Sequence, residues 1–405
     1  MKETLKEELL QEAEVMQAQL TRWRRFLHAH AETGFDLPET VAFVTKELAA
    51  MGITANPCGR CGLVAELGRK EKETVFLLRA DMDALPIPEE SGVSFAAPTG
   101  KSHACGHDMH TAMLLGAAQL LKAREAEIQG TVRFMFQPAE ELLSGAKDMI
   151  EAGVINDPPV TGAMMLHVMT GTALSAGTVI VAAPGVSAPA ADYFTIEVFG
   201  KGCHGSSPNL GIDPVNAAAH VVLALQAIQT RELSIGERAA LTIGSIQGGE
   251  AANVIPDKVI LKGTLRAYSE ETRVFLKKRL QEVAEQTAET FGATATVTFP
   301  CGCPALQNDE SLSNKMLRYA KELLGEEKAF SAAELTKGRE PGRGENTAGS
   351  EDFAYVSEKV PSVMVALSAG KGYEYPLHHP KVRFDEAALP VGSALLAYVA
   401  LRETV

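Results

Sequence analysis

Basic charge, cysteine and long apolar runs are all scarce in this sequence. Lys and Arg number 38 against 51 Asp and Glu, a formal charge of -13. No cluster of Lys and Arg stands out, which excludes a nucleic-acid partner, because phosphate-backbone binding rests on grouped cations. Six cysteines in 405 residues are too sparse for a disulfide scaffold. The acidic and apolar start of the chain lacks the uninterrupted apolar core of a signal peptide, so the cysteines are expected as thiols in the cytoplasm. The most apolar late stretch, from Ala387 to Leu401, is interrupted by Pro390 and Gly392 and falls short of the ~20 residues that span a bilayer. It reads as a buried C-terminal helix, with no membrane partner. Internal repeats and long low-complexity tracts are missing too.

What the chain has is an ordinary globular composition, 46% hydrophobic and 22% charged, and a length that suggests two domains at roughly 100–200 residues each. Residues 1–30 carry apolar positions at helical spacing and read as one amphipathic helix. Short apolar runs at 74–79, 131–136, 163–167 and 362–367 have the character of central strands. Helical segments at 111–124 and 145–152 separate several of them, which predicts an α/β layer with helices flanking a mainly parallel sheet. The middle reads strand, helix, two strands, helix, strand, the split βαβ order of a ferredoxin-like α+β unit. Pro and Gly near 184–189, and the run from Pro300 to Pro304, are expected as hinges. The resulting division is a catalytic domain of residues 1–188 and 300–405, interrupted by a lid and dimerisation domain of residues 189–299. The Gly-, Glu- and Arg-rich segment 336–350 is expected as a mobile loop.

Residues 102–110 pack three histidines, one thiol and one carboxylate into nine positions, SHACGHDMH. If this stretch is extended, Cys105 and His107 share a face while Asp108 points away. A thiolate with an imidazole suits zinc and related divalent metals. Glu140 and Glu141 follow the strand at 131–136, at the edge where open α/β sheets bind ligands. Adjacent glutamates diverge, so one can ligate while the other holds a proton, although such a pair on its own is most often a solvated helix start. His167 closes another strand, and His378 with His379 precedes Pro380. Together the four clusters supply nitrogen, oxygen and sulfur for two metals. Cys58 and Cys61 have redox-motif spacing, but they lie in a turn with no thioredoxin-like pattern around them.

In the order RRFLH (24–28), LRADMDALP (78–86), HACGHD (103–108), FQPAEE (136–141), GCHGS (202–206), NVIP (253–256), GTLR (263–266), GSEDF (349–353) and LHHP (377–380), the chain resembles the aminoacylase and carboxypeptidase family of co-catalytic metallohydrolases. The resemblance is to the branch with hippurate hydrolase, N-acyl-amino-acid amidohydrolases and auxin-conjugate hydrolases, and it runs nearly end to end. It implies two divalent ions per subunit (zinc, manganese, cobalt or nickel) held by Cys105, His107, Glu141, His167 and His378, with Glu140 as general base. It further implies that His204 on the lid, with Asn253 and Arg266, reaches the substrate across the interface of a homodimer. Ala31 stands where proline is usual, and His379 where serine is more typical, which leaves His378 and His379 as rival ligands.

The expected reaction is hydrolysis of the amide of an N-acyl amino acid, of N-acetyl or N-benzoyl type. A carboxypeptidase or dipeptidase acting on a short peptide is the close competitor, and a non-catalytic, metal-binding dimer the distant one. A structural metal site has no use for a carboxylate such as Glu140.

Overall fold

The computed structural model describes residues 2–69, 73–336, 349–370 and 375–404. Most of the loop expected at 336–350 lies outside them. The chain divides into two compact units, one from the described residues within 1–187, 307–347 and 352–405, the other from those within 188–306 and 348–351.

The first unit is built on an eight-stranded sheet. Its strands run in the order Ala55–Cys58, Gly62–Gly68, Thr131–Gln137, Val75–Asp81, Gly162–Met169, Ser362–Ser368, Val179–Val181 and Ala329–Ser331. The four central strands, 131–137, 75–81, 162–169 and 362–368, are mutually parallel. Every residue of Val75–Asp81 and Thr131–Gln137 is buried, which is why both read as unbroken apolar runs: helices cover the two faces of a central parallel sheet. The helices His107–Ala123 and Ala388–Glu403 pack on the sheet centre and on one another. Both are buried nearly all round, and a helix without a polar face has that fate. Pro390 falls within the first turn of its helix, where the N–H it lacks has no intrahelical acceptor. The amphipathic start is two helices, Lys2–Val15 and Gln17–Ala29, separated at the buried Met16.

The second unit has a four-stranded antiparallel sheet in the order Ala239–Gln247, Lys258–Ala267, Ala190–Phe199, Thr294–Cys303. The helices Pro214–Ala227 and Glu270–Thr290 pack against it. Asp213 and Ser269 cap them, accepting from main-chain N–H groups of their first turns. This is the ferredoxin-like arrangement, with its own core around Phe194, Ile196, Val221, Leu261, Leu276 and Leu280. The segment expected as a second hinge is instead the end of the edge strand Thr294–Cys303. Pro300 is accommodated there by a register shift between Thr298 and Cys301, one of the few places a strand tolerates proline. Among the described residues no helix is long and apolar enough to cross a membrane.

Candidate metal centre

The first unit opens a crevice at the C-terminal edge of its sheet. The strand Val75–Asp81 pairs with Thr131–Gln137 as far as Asp81 opposite Gln137, but with Gly162–Met169 only as far as Arg79 opposite Met165. The latter strand continues, paired with Ser362–Ser368 through Met169 opposite Ser368. Two neighbouring parallel strands therefore part, at the point where successive connections leave to opposite sides, and that is where open α/β sheets take ligands.

The helix His107–Ala123 enters this crevice by its N-terminus. The stretch 103–108 is thus not extended, as expected from its pattern; Gly106 turns in the left-handed region at φ 84 and His107 opens the helix. A Cβ on Gly106 would lie 2.3 Å from Cγ2 of Val168, so both the conformation and the space demand glycine. This turn, and not strand alternation, brings Cys105 and His107 together. Asp108 does point away, accepting from Arg24 Nε at 2.7 Å and from His28 Nδ1 at 2.8 Å.

After Gln137 the chain passes through Ala139 at φ 51 and Leu143 at φ 50, a region that costs non-glycine residues on the order of 1–3 kcal/mol. Asp83 holds the turn. Its Oδ1 accepts the N–H of Glu140 at 3.0 Å and its Oδ2 that of Glu141 at 3.3 Å. The two side chains then face His107, whose Nε2 is 3.9 Å from Glu140 Oε2 and 3.9 Å from Glu141 Oε1.

Three more donors converge on the same place. Cys105 Sγ is 3.5 Å from His167 Nε2 and 3.2 Å from His378 Nε2, and His378 Nε2 is 3.6 Å from Glu141 Oε1. Three groups, Cys105 with His107 and His167, Cys105 with Glu141 and His378, and His107 with Glu140 and Glu141, each have their ligand atoms within 4.8 Å of one another. Cys105 belongs to two of them. His378 sits at φ 64, whereas His379 stacks on Tyr375 with ring centroids 4.3 Å apart and accepts the N–H of Lys381. Of the rival pair, His378 is the one that faces the cluster.

The donor set fits divalent ions. His107 Nδ1 donates to the carbonyl of Asp83 at 2.8 Å, so Nε2 is the nitrogen turned to the two glutamates. That atom and Glu141 Oε1 are buried with no hydrogen-bond partner among the described residues, an expensive state without a cation between them. Burial and the Glu141 carboxylate push the Cys105 thiol well up, so a cation is needed to keep a thiolate there. Burial, with Asp83 and Asp81 adding to it against His107, also raises Glu141.

Beneath the cluster lies a charged layer that sequence reasoning assigned no role. Arg79, 1% exposed, donates to Gln137 Oε1 at 2.8 Å, Asp81 Oδ2 at 2.6 Å and Asp352 Oδ1 at 3.2 Å. Burial works against Asp81 ionising, but Arg79, His107 and His110 hold its carboxyl well below the usual range. Asp352 also accepts from Gln137 Nε2 and from the N–H of Ala146. Arg79, Asp81, Asp83, Gln137 and Asp352 all lie inside the sequence landmarks, which was the available signal.

His204 and Asn253 lie in the second unit, brought together where Cys203–His204 pairs with Val254–Ile255 and the N–H of Gly205 donates to the carbonyl of Asn253. His204 Nδ1 accepts from Ser206. Arg266 is on the strand Lys258–Ala267, its guanidinium 6.0 Å from the Tyr193 ring centroid. Among the described residues no carboxylate pairs with it. All six cysteines are free. Burial, with Asp148 nearby, pushes Cys61 up to about 11, which removes it as a nucleophile.

Comparison with known proteins gives concordant matches. The profile of Peptidase family M20/M25/M40 matches residues 77–402. The chain is similar to N-acetylcysteine deacetylase of Bacillus subtilis, 37% identical over 94% of this chain and 96% of that one. It is similar also to IAA-amino acid hydrolase ILR1-like 4 of Arabidopsis thaliana, 36% identical over 94% of this chain and 84% of the other. A solved Bacillus subtilis structure, described as a dinuclear metal binding peptidase from the M20 family, superposes with a TM-score of 0.76 at 33% identity, covering 97% of this chain and 100% of that one.

Proposed function

The chain belongs to peptidase family M20/M25/M40, and from that premise we propose that it is a metal-dependent amidohydrolase that splits the amide bond of N-acyl amino acids, of N-acetyl or N-benzoyl type. The convergence of Cys105, His107, Glu141, His167 and His378 on one crevice, with Glu140 beside His107, carries the reading. These five side chains would hold two divalent ions (zinc, manganese, cobalt or nickel), Cys105 belonging to both sets. Ions bound there supply Lewis acidity to a substrate carbonyl and lower the pKa of water.

The chain's own groups do the rest. Glu140 takes the proton of the attacking water and returns it to the departing amine nitrogen. Asp83 fixes the backbone from which it projects. His204 stabilises the oxyanion, and Arg266 receives the substrate carboxylate in its planar fork, since no carboxylate among the described residues occupies that guanidinium. Asn253, beside His204, completes the substrate contacts. The relatives described as a deacetylase of N-acetylcysteine and a hydrolase of IAA-amino acids act on substrates of this class.

The working form is a homodimer joined through the second unit. The helix Pro214–Ala227 supports this, since it turns Val215, Ala219 and Leu223 outward, Leu223 at 68% exposure, and an apolar stripe without charge is out of place in water. The free cysteines suit the reducing cytoplasm.

The test is a panel of N-acetyl, N-benzoyl and dipeptide substrates given to protein stripped of metal and reloaded with each ion. Hydrolysis of the N-acyl compounds that vanishes with the metal and returns with it is the expected result. Preference for dipeptides would make the chain a peptidase, and metal uptake without any turnover would make it the non-catalytic binder. Mixing His204→Ala with Glu140→Ala chains tests the shared site: about a quarter of wild-type activity should return, because half of randomly exchanged dimers are hetero and each carries one complete site.

A further inference from the structure

His110 lies one helical turn after His107, in the split between the strands Val75–Asp81 and Gly162–Met169, and the chemistry above gives it no task. Its ring centroid is 5.4 Å from that of His107 and 4.6 Å from that of His167. With Asp81 and His107 it forms a further group of potential ligand atoms within 4.8 Å. Both of its nitrogens are nevertheless in use. Nε2 accepts the main-chain N–H of Val168 at 2.8 Å, so it carries no proton and its lone pair is taken. The proton therefore sits on Nδ1 and is donated to Asp81 Oδ1 at 2.6 Å. Asp81 is likewise committed, with Oδ2 held by Arg79 at 2.6 Å.

The contact with Val168 is a consequence of the split. Past Met165 the strand Gly162–Met169 has lost its partner on that side, and the N–H of Val168 would otherwise be buried and unbonded. The carbonyl of the same residue accepts from His167 Nδ1 at 2.7 Å. That bond fixes the tautomer of His167 and leaves Nε2, the atom facing Cys105, as the ligand. One residue thus takes its N–H to His110 and its C=O to His167.

We propose that His110 ligates nothing and is a positioning residue for His167: by pinning Val168 across the gap between two parted strands, it aims Nε2 of His167 at the metal centre. The line runs Arg79, Asp81, His110, Val168, His167. It rests on the metal reading above, and extends it to a residue that touches neither ion nor substrate.

The experiment compares wild type with His110→Phe, His110→Gln and His110→Asn. Each protein is stripped with chelator and titrated with Zn²⁺ or Mn²⁺ against a competing chelator. Ions per chain are counted by mass spectrometry, and the melting temperature of the metal-free protein is recorded. Phenylalanine keeps the ring and removes both hydrogen bonds. His110→Phe should bind the same number of ions as wild type, with affinity lowered about 10–100-fold, the usual effect of losing a group that orients a ligand. Glutamine reaches the Nε2 position and can still accept from Val168, so it should recover most of the affinity. Asparagine reproduces only the donor toward Asp81 and should remain weak.

Wild-type affinity in His110→Phe, whatever its melting temperature, would reduce His110 to a packing residue. Loss of one ion per chain would make it a ligand. Either result overturns the proposal. Should His110→Phe not fold, the Gln and Asn variants decide, and equal affinities in the two would rule out the route through Val168. Failure of the wild type to take up any divalent ion is a separate outcome, and sinks the metal reading itself.

Discussion

Asp83 reaches Glu140 through the main chain: its Oδ1 accepts the N–H of Glu140 at 3.0 Å, and its Oδ2 accepts that of the next residue at 3.3 Å. One carboxylate therefore sets the direction of two others, for which different roles are proposed. Because Ala139 before them is held at φ 51, this turn would relax if the two bonds were lost.

Replacing Asp83 by Asn turns one acceptor into a donor that meets an N–H head on. We expect kcat to fall about 10–100-fold with a smaller change in KM, since substrate anchoring is left alone while the glutamates lose their aim. Steady-state kinetics on Asp83→Asn check it, and an unchanged kcat would show that the turn holds itself.

Glu140→Gln separates binding from chemistry. The amide has the same shape but cannot accept a proton, so metal content should stay at the wild-type level while turnover drops about 10²–10⁴-fold. Near-wild-type turnover with full metal content would remove Glu140 as the base.

Gly106→Ala tests the turn between Cys105 and His107, two of the proposed metal donors. The added methyl meets Val168 Cγ2 at 2.3 Å, and the left-handed backbone costs an L residue a further ~1–2 kcal/mol. Thermal melts should show a loss of at least that size, accompanied by reduced metal content. A variant with normal stability and normal metal content would contradict the geometry described for the helix start.

His28 gives stability a pH dependence of definite sign. It lies between Asp108 on Nδ1 at 2.8 Å and Glu89 on Nε2 at 2.9 Å, with Arg24 on its own helix and the His103 ring 6.2 Å away. Burial lowers its pKa, but Asp108 and Glu89 outweigh burial and leave it raised above the usual 6.5. A group whose pKa is raised by folding contributes fully below its unfolded value and loses that contribution as pH climbs through its folded one. The stability advantage of wild type over His28→Gln, measured metal-free by denaturant titration, should therefore shrink as pH rises from about 6.5. An advantage that grows with pH would mean that His28 is neutral in the fold.

Much of this was legible in the sequence, for physical reasons that differ residue by residue. The central strands could be read because both of their faces are buried, and the βαββαβ order of the second unit because its strands and helices have distinct periods. The start of the helix at His107 was hidden: the polar stretch before it has no period, and its turn is imposed by Val168, far along the chain. His110 and Asp81 were missed for the same cause, since their meaning lies in partners that only the fold supplies. The choice between His378 and His379 hung on one left-handed residue. Pro300 misled because a proline at the register shift of an edge strand has the same local pattern as a linker.

The strand Ser362–Ser368 lies inside the large sheet, between Gly162–Met169 and Val179–Val181, and His378, the last in sequence of the proposed metal donors, follows it. During synthesis the second unit, nearly contiguous in sequence, has emerged whole before that strand has been made. The ribosome thus releases a finished insert from an unfinished host, whose sheet presents an open seam of unpaired main chain until the strand Ser362–Ser368 arrives. If His378 is a ligand, the metal centre cannot be complete until that strand and the residues after it have been made. Premature termination after the insert but before Ser362 would leave a product with a folded insert and an exposed sheet edge, the kind of species that chaperones and proteases exist to intercept.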